Sequence, residues 1–245
     1  MANIVKLGSA YLDQEPTSPG SEYTSGTSKV IELGETVPGK EISWVVVNGM
    51  LIADRCLLTH ISWDNLNDNG LVYGKEITID GMRYQARLLK VGMVEGEPNE
   101  WDDALDIVGE SNNLWHWEKA YFWGQETAID GYESHRALRG YSSARSWNSR
   151  YRHSRISSHG FRPALIPLGD APHAFLGGDR VTVWFGQSML HGKLAQFTDY
   201  DIVLSDWDGA FEYNSQRLFL KALPDENLVI DRTAVSCIQK EDSHA

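Results

Sequence analysis

The chain has 245 residues, of which 42% are hydrophobic, with nine tryptophans and a formal charge of -12. That is enough apolar material for one sizeable domain, or for one domain and a small companion. A pI near 5.1 excludes a general coat for duplex nucleic acid, which needs Lys and Arg spread over a broad face. Cys56 and Cys237 lie in apolar contexts and give no disulfide framework, while no apolar run approaches roughly 20 residues, so a soluble chain without a membrane segment or export signal is expected.

Residues 1–40 contain a Pro/Gly/Ser-rich stretch from Gln14 to Ser28 that cannot bury enough surface to offset its ordering entropy, and a partly flexible arm is expected. Two apolar runs then flank Asn48-Gly49, a strong hairpin signal, and Asp80-Gly81 repeats the device between Lys75 and Leu89. Between them, Asn65, Asn67, Asn69 and Glu76 match the spacing of a calcium loop, but strand-like Ile77-Thr-Ile79 follows and carboxylates are few. A polar turn is the expectation there.

Asn99 caps a predicted helix carrying Glu100, Asp102 and Asp103 in its first turn, Trp101, Ala104, Leu105 and Val108 on one face, and Gly109 as its stop. Aromatic density at Leu114-Trp-His-Trp and Tyr121-Phe-Trp predicts a core or a cleft lining. Next, Arg139 to Arg162 holds six arginines and no carboxylate. Against an acidic background such a patch can steer an anion to one place. Arg145, Arg150, Arg152 and Arg155 are the candidates for that contact, since guanidinium suits bidentate recognition of phosphate. Arg139 and Arg162 border core motifs and are expected to be structural. The prolines and glycines from Pro163 to Gly178 read as a linker, with the domain boundary at 169–178. Five short apolar segments after it predict a small β-barrel over 179–245.

Arg139-Gly140-Tyr141-Ser142 and Gly160-Phe161-Arg162 resemble the closing motifs of the C-type-lectin-like fold found in formylglycine-generating-enzyme-like proteins and in variable proteins of diversity-generating retroelements. Tyr141 departs from the glycine usual there. The resemblance covers residues 41–168 and implies a ligand-recognition domain. It also implies that Tyr141, Ser143, Trp147, Asn148, Tyr151, His153 and His159 face a ligand, with the adaptable hydrogen-bonding chemistry of recognition loops.

Val181, Val183, Phe185, Gly186, Gly192, Leu194, Phe197, Asp199, Val203 and Leu204 are similar in spacing to the first motif of Sm and Hfq-like barrels, which implies a homo-oligomerisation module. Asp201 stands where that family often has an RNA-contacting asparagine. The whole chain is similar to uncharacterised phage and prophage proteins.

The sequence thus predicts an α+β, mostly β chain with a C-type-lectin-like domain and a small Sm-like barrel. The expected function is non-enzymatic recognition of a protein, glycan or anionic small molecule, in a virion or the host cytoplasm, with no cofactor or metal. His116-Trp-Glu118 lacks the paired cysteines of a zinc deaminase, and no nucleophile elbow or phosphate loop occurs. An intracellular counter-defence factor holding a nucleotide signal or RNA, and a structural virion component, are the alternatives.

Overall fold

The computed structural model describes residues 2–24, 29–171, 174–210 and 218–241. Its N-terminal segment is not an arm. It forms β1 (Asn3–Leu7), β2 (Ser9–Leu12), β3 (Glu15–Thr17), β4 (Ser21–Glu22) and β5 (Ile31–Gly34). Residues 25–28 of the expected arm lie outside the described residues. Later elements supply what this polar run lacks. β1 pairs with β6 (Ile42–Val47) from Ile42 to Val46, while Tyr23 and Ile31 are buried in the main core. Thr36 Oγ1 accepts from Gly8 N at 2.6 Å, and Ser9 Oγ accepts from Val37 N at 2.9 Å.

The hairpin signals form where turn chemistry requires them. Asn48 and Gly49 take φ of 52° and 68° and join β6 to β7 (Met50–Ala53). After β8 (Leu58–Thr59) and helix α1 (Trp63–Asp68), Asp80 and Gly81 turn β9 (Lys75–Ile79) into β10 (Met82–Leu88). Asn65 is spent on a reciprocal cap with Ser62, Asn69 Oδ1 accepts from Ile31 N, and Glu76 pairs with Arg83. The calcium-like spacing therefore builds helix ends and strand contacts.

Helix α2 (Glu100–Val108) is capped by Asn99, which accepts from Asp102 N, and stops at Gly109 with φ 86°. A short helix α3 (Asn112–Trp115) leads into β11 (Tyr121–Thr127), β12 (His135–Gly140), β13 (Trp147–Tyr151), β14 (His159–Phe161) and β15 (Pro163–Pro167). The expected linker begins too early in sequence, because Pro163–Pro167 is a strand between β7 and β10. Its prolines sit at the two strand ends, where a missing N–H costs least. Residues 172–173 of the linker lie outside the described residues.

Two six-stranded sheets result, ordered β1-β6-β7-β15-β10-β9 and β13-β12-β11-β14-β8-β4, with β3-β2-β5 as a smaller third. The main core lies among these sheets. A second core holds Trp101, Trp115 and Phe122, whose rings meet edge to face at 4.8 and 4.9 Å. Each buried tryptophan removes roughly 150–250 Å² from water, worth about 4–6 kcal/mol before ordering costs.

The C-terminal strands are β16 (Arg180–Phe185), β17 (Ser188–Phe197), β18 (Asp201–Ala210), β19 (Leu220–Ala222), β20 (Leu228–Asp231) and β21 (Cys237–Lys240). They form an open sheet, β19-β20-β18-β17-β16-β21, and among the described residues no pairing joins β19 to β21. The closed Sm-like barrel is thus corrected to an open sheet with its own core of Val181, Val183, Leu190, Ile202 and Ile230. Nor does the sheet hang on a tether. Trp184 and Met189 enter the main core, Trp184 meets Tyr84 edge to face at 6.2 Å, and Gln239 Nε2 donates to Arg83 O at 2.6 Å.

Candidate recognition surface

The sheet edge at β13 positions the candidate residues, and the turn before it is the most constrained point. Gly140 has φ 101°, and a Cβ there would lie 2.5 Å from Ala120 O. Tyr141 follows at φ 80°, a conformation that costs a non-glycine residue on the order of 1–3 kcal/mol. Its departure from the glycine motif therefore falls where glycine would be free of strain. What holds it is a ring stack on Tyr121, with centroids 4.7 Å apart and planes 8° apart, plus backbone bonds from Tyr141 N to Trp117 O and from Lys119 N to Tyr141 O. The Tyr141 ring remains 41% exposed.

Along β13 the two faces diverge. Asn148 donates to the Tyr121 hydroxyl at 3.0 Å, and Arg150 projects outward nearby, so Tyr141, Tyr121, Asn148 and Arg150 share one surface. His159 lies beneath it, 2% exposed, edge-on to Tyr121 and Trp123. Burial, assisted by the Arg150 charge, pushes its imidazole down to about 4, so it stays neutral. On the other face, Trp147 Nε1 donates to Gly92 O, and Tyr151 packs edge-on to His135 at 4.3 Å and stacks with His153 at 5.5 Å.

The remaining candidates lie elsewhere. Ser143 bonds Ser146 within its turn. Arg145 sits among acids of α2 and the residue after its cap, 2.6 Å from Asp106, 3.6 Å from Asp102 and 3.3 Å from Glu110. Arg152 pairs with Asp64 of α1 at 3.3 Å. Arg155 lies over the Tyr23 ring, in a pocket of about 340 Å³ with His60 and Glu22, beside β4 at the far edge of the sheet from β13. The basic stretch is not one cationic face. Among the described residues, only Arg150 and Arg155 of its four outward candidates form no ion pair.

Arg139 and Arg162 point inward. Arg139 donates to Val91 O and pairs with Asp102; Arg162, fully buried, donates to Trp115 O and lies over Trp101 and Phe122. Gly160 is required beside it, since a Cβ would come 2.6 Å from Cys56 Sγ.

Asp130, Tyr132 and His135 escaped the sequence reading. Tyr132 is 57% exposed and stacks on His135 at 4.7 Å. Burial raises the Asp130 carboxyl, but bonds from Ser149, His135 and Tyr132 N outweigh it and hold the group below its ordinary value. Ser149, His135 and Asp130 are not a nucleophile relay. Ser149 gives its proton to Asp130 on the same Nδ1 side, while His135 Nε2 is buried with no hydrogen-bond partner among the described residues. Only the Asp130 and Tyr132 positions in a turn offered a signal, and nothing in it pointed to His135.

No cluster of three His, Cys, Asp or Glu able to hold a metal occurs among the described residues, and no helix there is long and apolar enough to cross a membrane. The architecture defines a mostly β chain of the α+β class. No family model matches it, and no curated protein or solved structure does either.

Proposed function

We propose that this chain is a non-enzymatic recognition protein, in the manner of the lectin-like proteins its motifs resemble, and that it binds a neutral, hydrogen-bond-rich ligand, a glycan or a protein loop, through the surface around β13. The observation that carries this reading is Tyr141, an exposed ring kept in a strained backbone conformation on top of Tyr121 and beside Asn148. Strain retained at a surface aromatic supports a binding role, because packing gains little from it. Tyr132 and Tyr151 add a second exposed aromatic pair. A phage or prophage origin, and assembly through the C-terminal sheet, where Tyr200 and Leu218 are 80% and 89% exposed, belong to the same proposal.

Carboxylates already hold Arg145 and Arg152, which argues against nucleotide or RNA capture by that pair. The anion reading retains two supports, the exposed Arg150 and the Arg155 and His60 pocket. A glycan array, followed by titration of the strongest hit at low and high salt, tests the choice. Binding should persist at high salt and be lost in Tyr141→Ala and Tyr151→Ala while both variants remain folded. Collapse with salt, or indifference to both substitutions, overturns the neutral-ligand reading.

A further inference from the structure

The register between β12 and β13 fixes which backbone groups of β13 face outward. Gly140 N donates to Ser146 O and Arg152 N donates to Ser134 O, so residues 146, 148, 150 and 152 turn their amides toward β12. By the same alternation Trp147, Ser149 and Tyr151 direct theirs to the open edge. Such a row is a template for another strand, although at its end Ser154 N already donates to Tyr151 O at 2.9 Å. The sheet's opposite edge, β4, has only two residues.

Side chains occupy the centre of that row. Ser149 N donates to Asn148 Oδ1 at 2.8 Å, and Arg150 Nη1 donates to Ser149 O at 3.3 Å. Asn148 is itself anchored, its Nδ2 donating to the Tyr121 hydroxyl. Both outward groups of Ser149 are therefore satisfied from within the strand.

The edge is also self-complementary. Placed antiparallel to its own copy with Ser149 on the two-fold axis, Trp147 faces Tyr151 and Asn148 faces Arg150, so rings meet rings and no like charges oppose. We propose that the outer edge of β13 is a latent strand-pairing surface for a second copy of this chain, held shut by the side chains of Asn148 and Arg150. This goes beyond ligand recognition and does not depend on any ligand.

Native mass spectrometry of the full chain tests it. Asn148→Ala with Arg150→Ala should strengthen self-association over the parent by about tenfold or more, since two outward hydrogen-bonding groups are released. Adding Ser149→Pro should reverse the gain, because proline removes the outward N–H and leaves the β12 ladder intact. A second variant guards against poor folding. Asn148→Cys with Arg150→Cys removes both gates and sets the cysteines at a non-hydrogen-bonded pair about 4.5 Å apart between Cα atoms. Oxidation should then give a covalent dimer linked 148 to 150. A folded alanine pair with the parent's subunit count, or a cysteine pair that forms no such dimer, overturns the proposal.

Discussion

β12 and β13 are hydrogen-bonded neighbours in one sheet, and the arginines they present differ in almost every respect. All six residues of β12 are buried, and Arg139 spends its charge on Asp102 and a backbone carbonyl. β13 lies at the edge, and its Arg150 is exposed, with a single weak bond to its own backbone. Arg145 and Arg152, on the turns flanking β13, are half exposed and held by acids of α2 and α1. A basic run in sequence can therefore produce almost no basic surface, because carboxylates from distant segments meet it one residue at a time.

The largest expected effect tests the inner population. Arg162→Ala leaves Trp115 O without its donor and a void between Trp101 and Phe122, and should cost on the order of 3–5 kcal/mol in chemical denaturation. Arg139→Ala should be next. Arg162→Met should recover much of the loss, since a well-packed apolar side chain often replaces a buried charge without penalty. If Arg162→Ala melts like the parent, the contrast between inward and outward arginines fails.

His159 gives a second test, lying under the exposed surface yet belonging to the buried class. Its folded value of about 4 is below the ordinary 6.5, so the folded state disfavours the proton. Above pH 6.5 the group is neutral in both states and contributes no slope. As pH falls from 6.5 to 4 the unfolded chain takes the proton first, and stability should drop by about 3 kcal/mol, each unit being worth about 1.4 kcal/mol. Urea titrations across that window read the slope, and His159→Gln should flatten it. A slope unchanged in that variant assigns the pH dependence to other groups.

The smallest effects sharpen the outer population. Arg145→Ala and Arg152→Ala each remove a largely solvated ion pair and should change stability by less than about 1 kcal/mol in thermal melts, less still at high salt. A loss comparable to that of Arg162→Ala would mean that these pairs are structural.

What was legible in the sequence was local. Asn48-Gly49, Asp80-Gly81 and the Asn99 to Gly109 helix carry their instructions within a few residues, and each forms as expected. The N-terminal strands were not legible, because the polar run from Gln14 is held by pairing with β2 just before it and with β8 beyond the next hairpin rather than by apolar residues of its own. Pro163–Pro167 was hidden by its prolines, which mark strand ends as readily as linkers. In the candidate site, the motif glycines and Tyr141 were visible, whereas the Tyr121 stack and the Asp130 and His135 contacts depend on strand register. The neutralised charge of Arg145 likewise depends on Asp102 and Asp106 of α2 and on Glu110 just beyond it, of which the helix-start rule explains only Asp102, as a dipole partner.

Gln239 gives the molecule an order of completion. Its side chain receives the indole proton of Trp184 and donates to carbonyls of Arg83 and Leu168, stitching the C-terminal sheet to the rest. The ribosome makes residue 239 after every group it fastens, so the emerging polypeptide must hold the Trp184 seam unsutured until translation reaches this strand. A chain cut just before Gln239 would stay in that unstitched condition, lacking all three bonds.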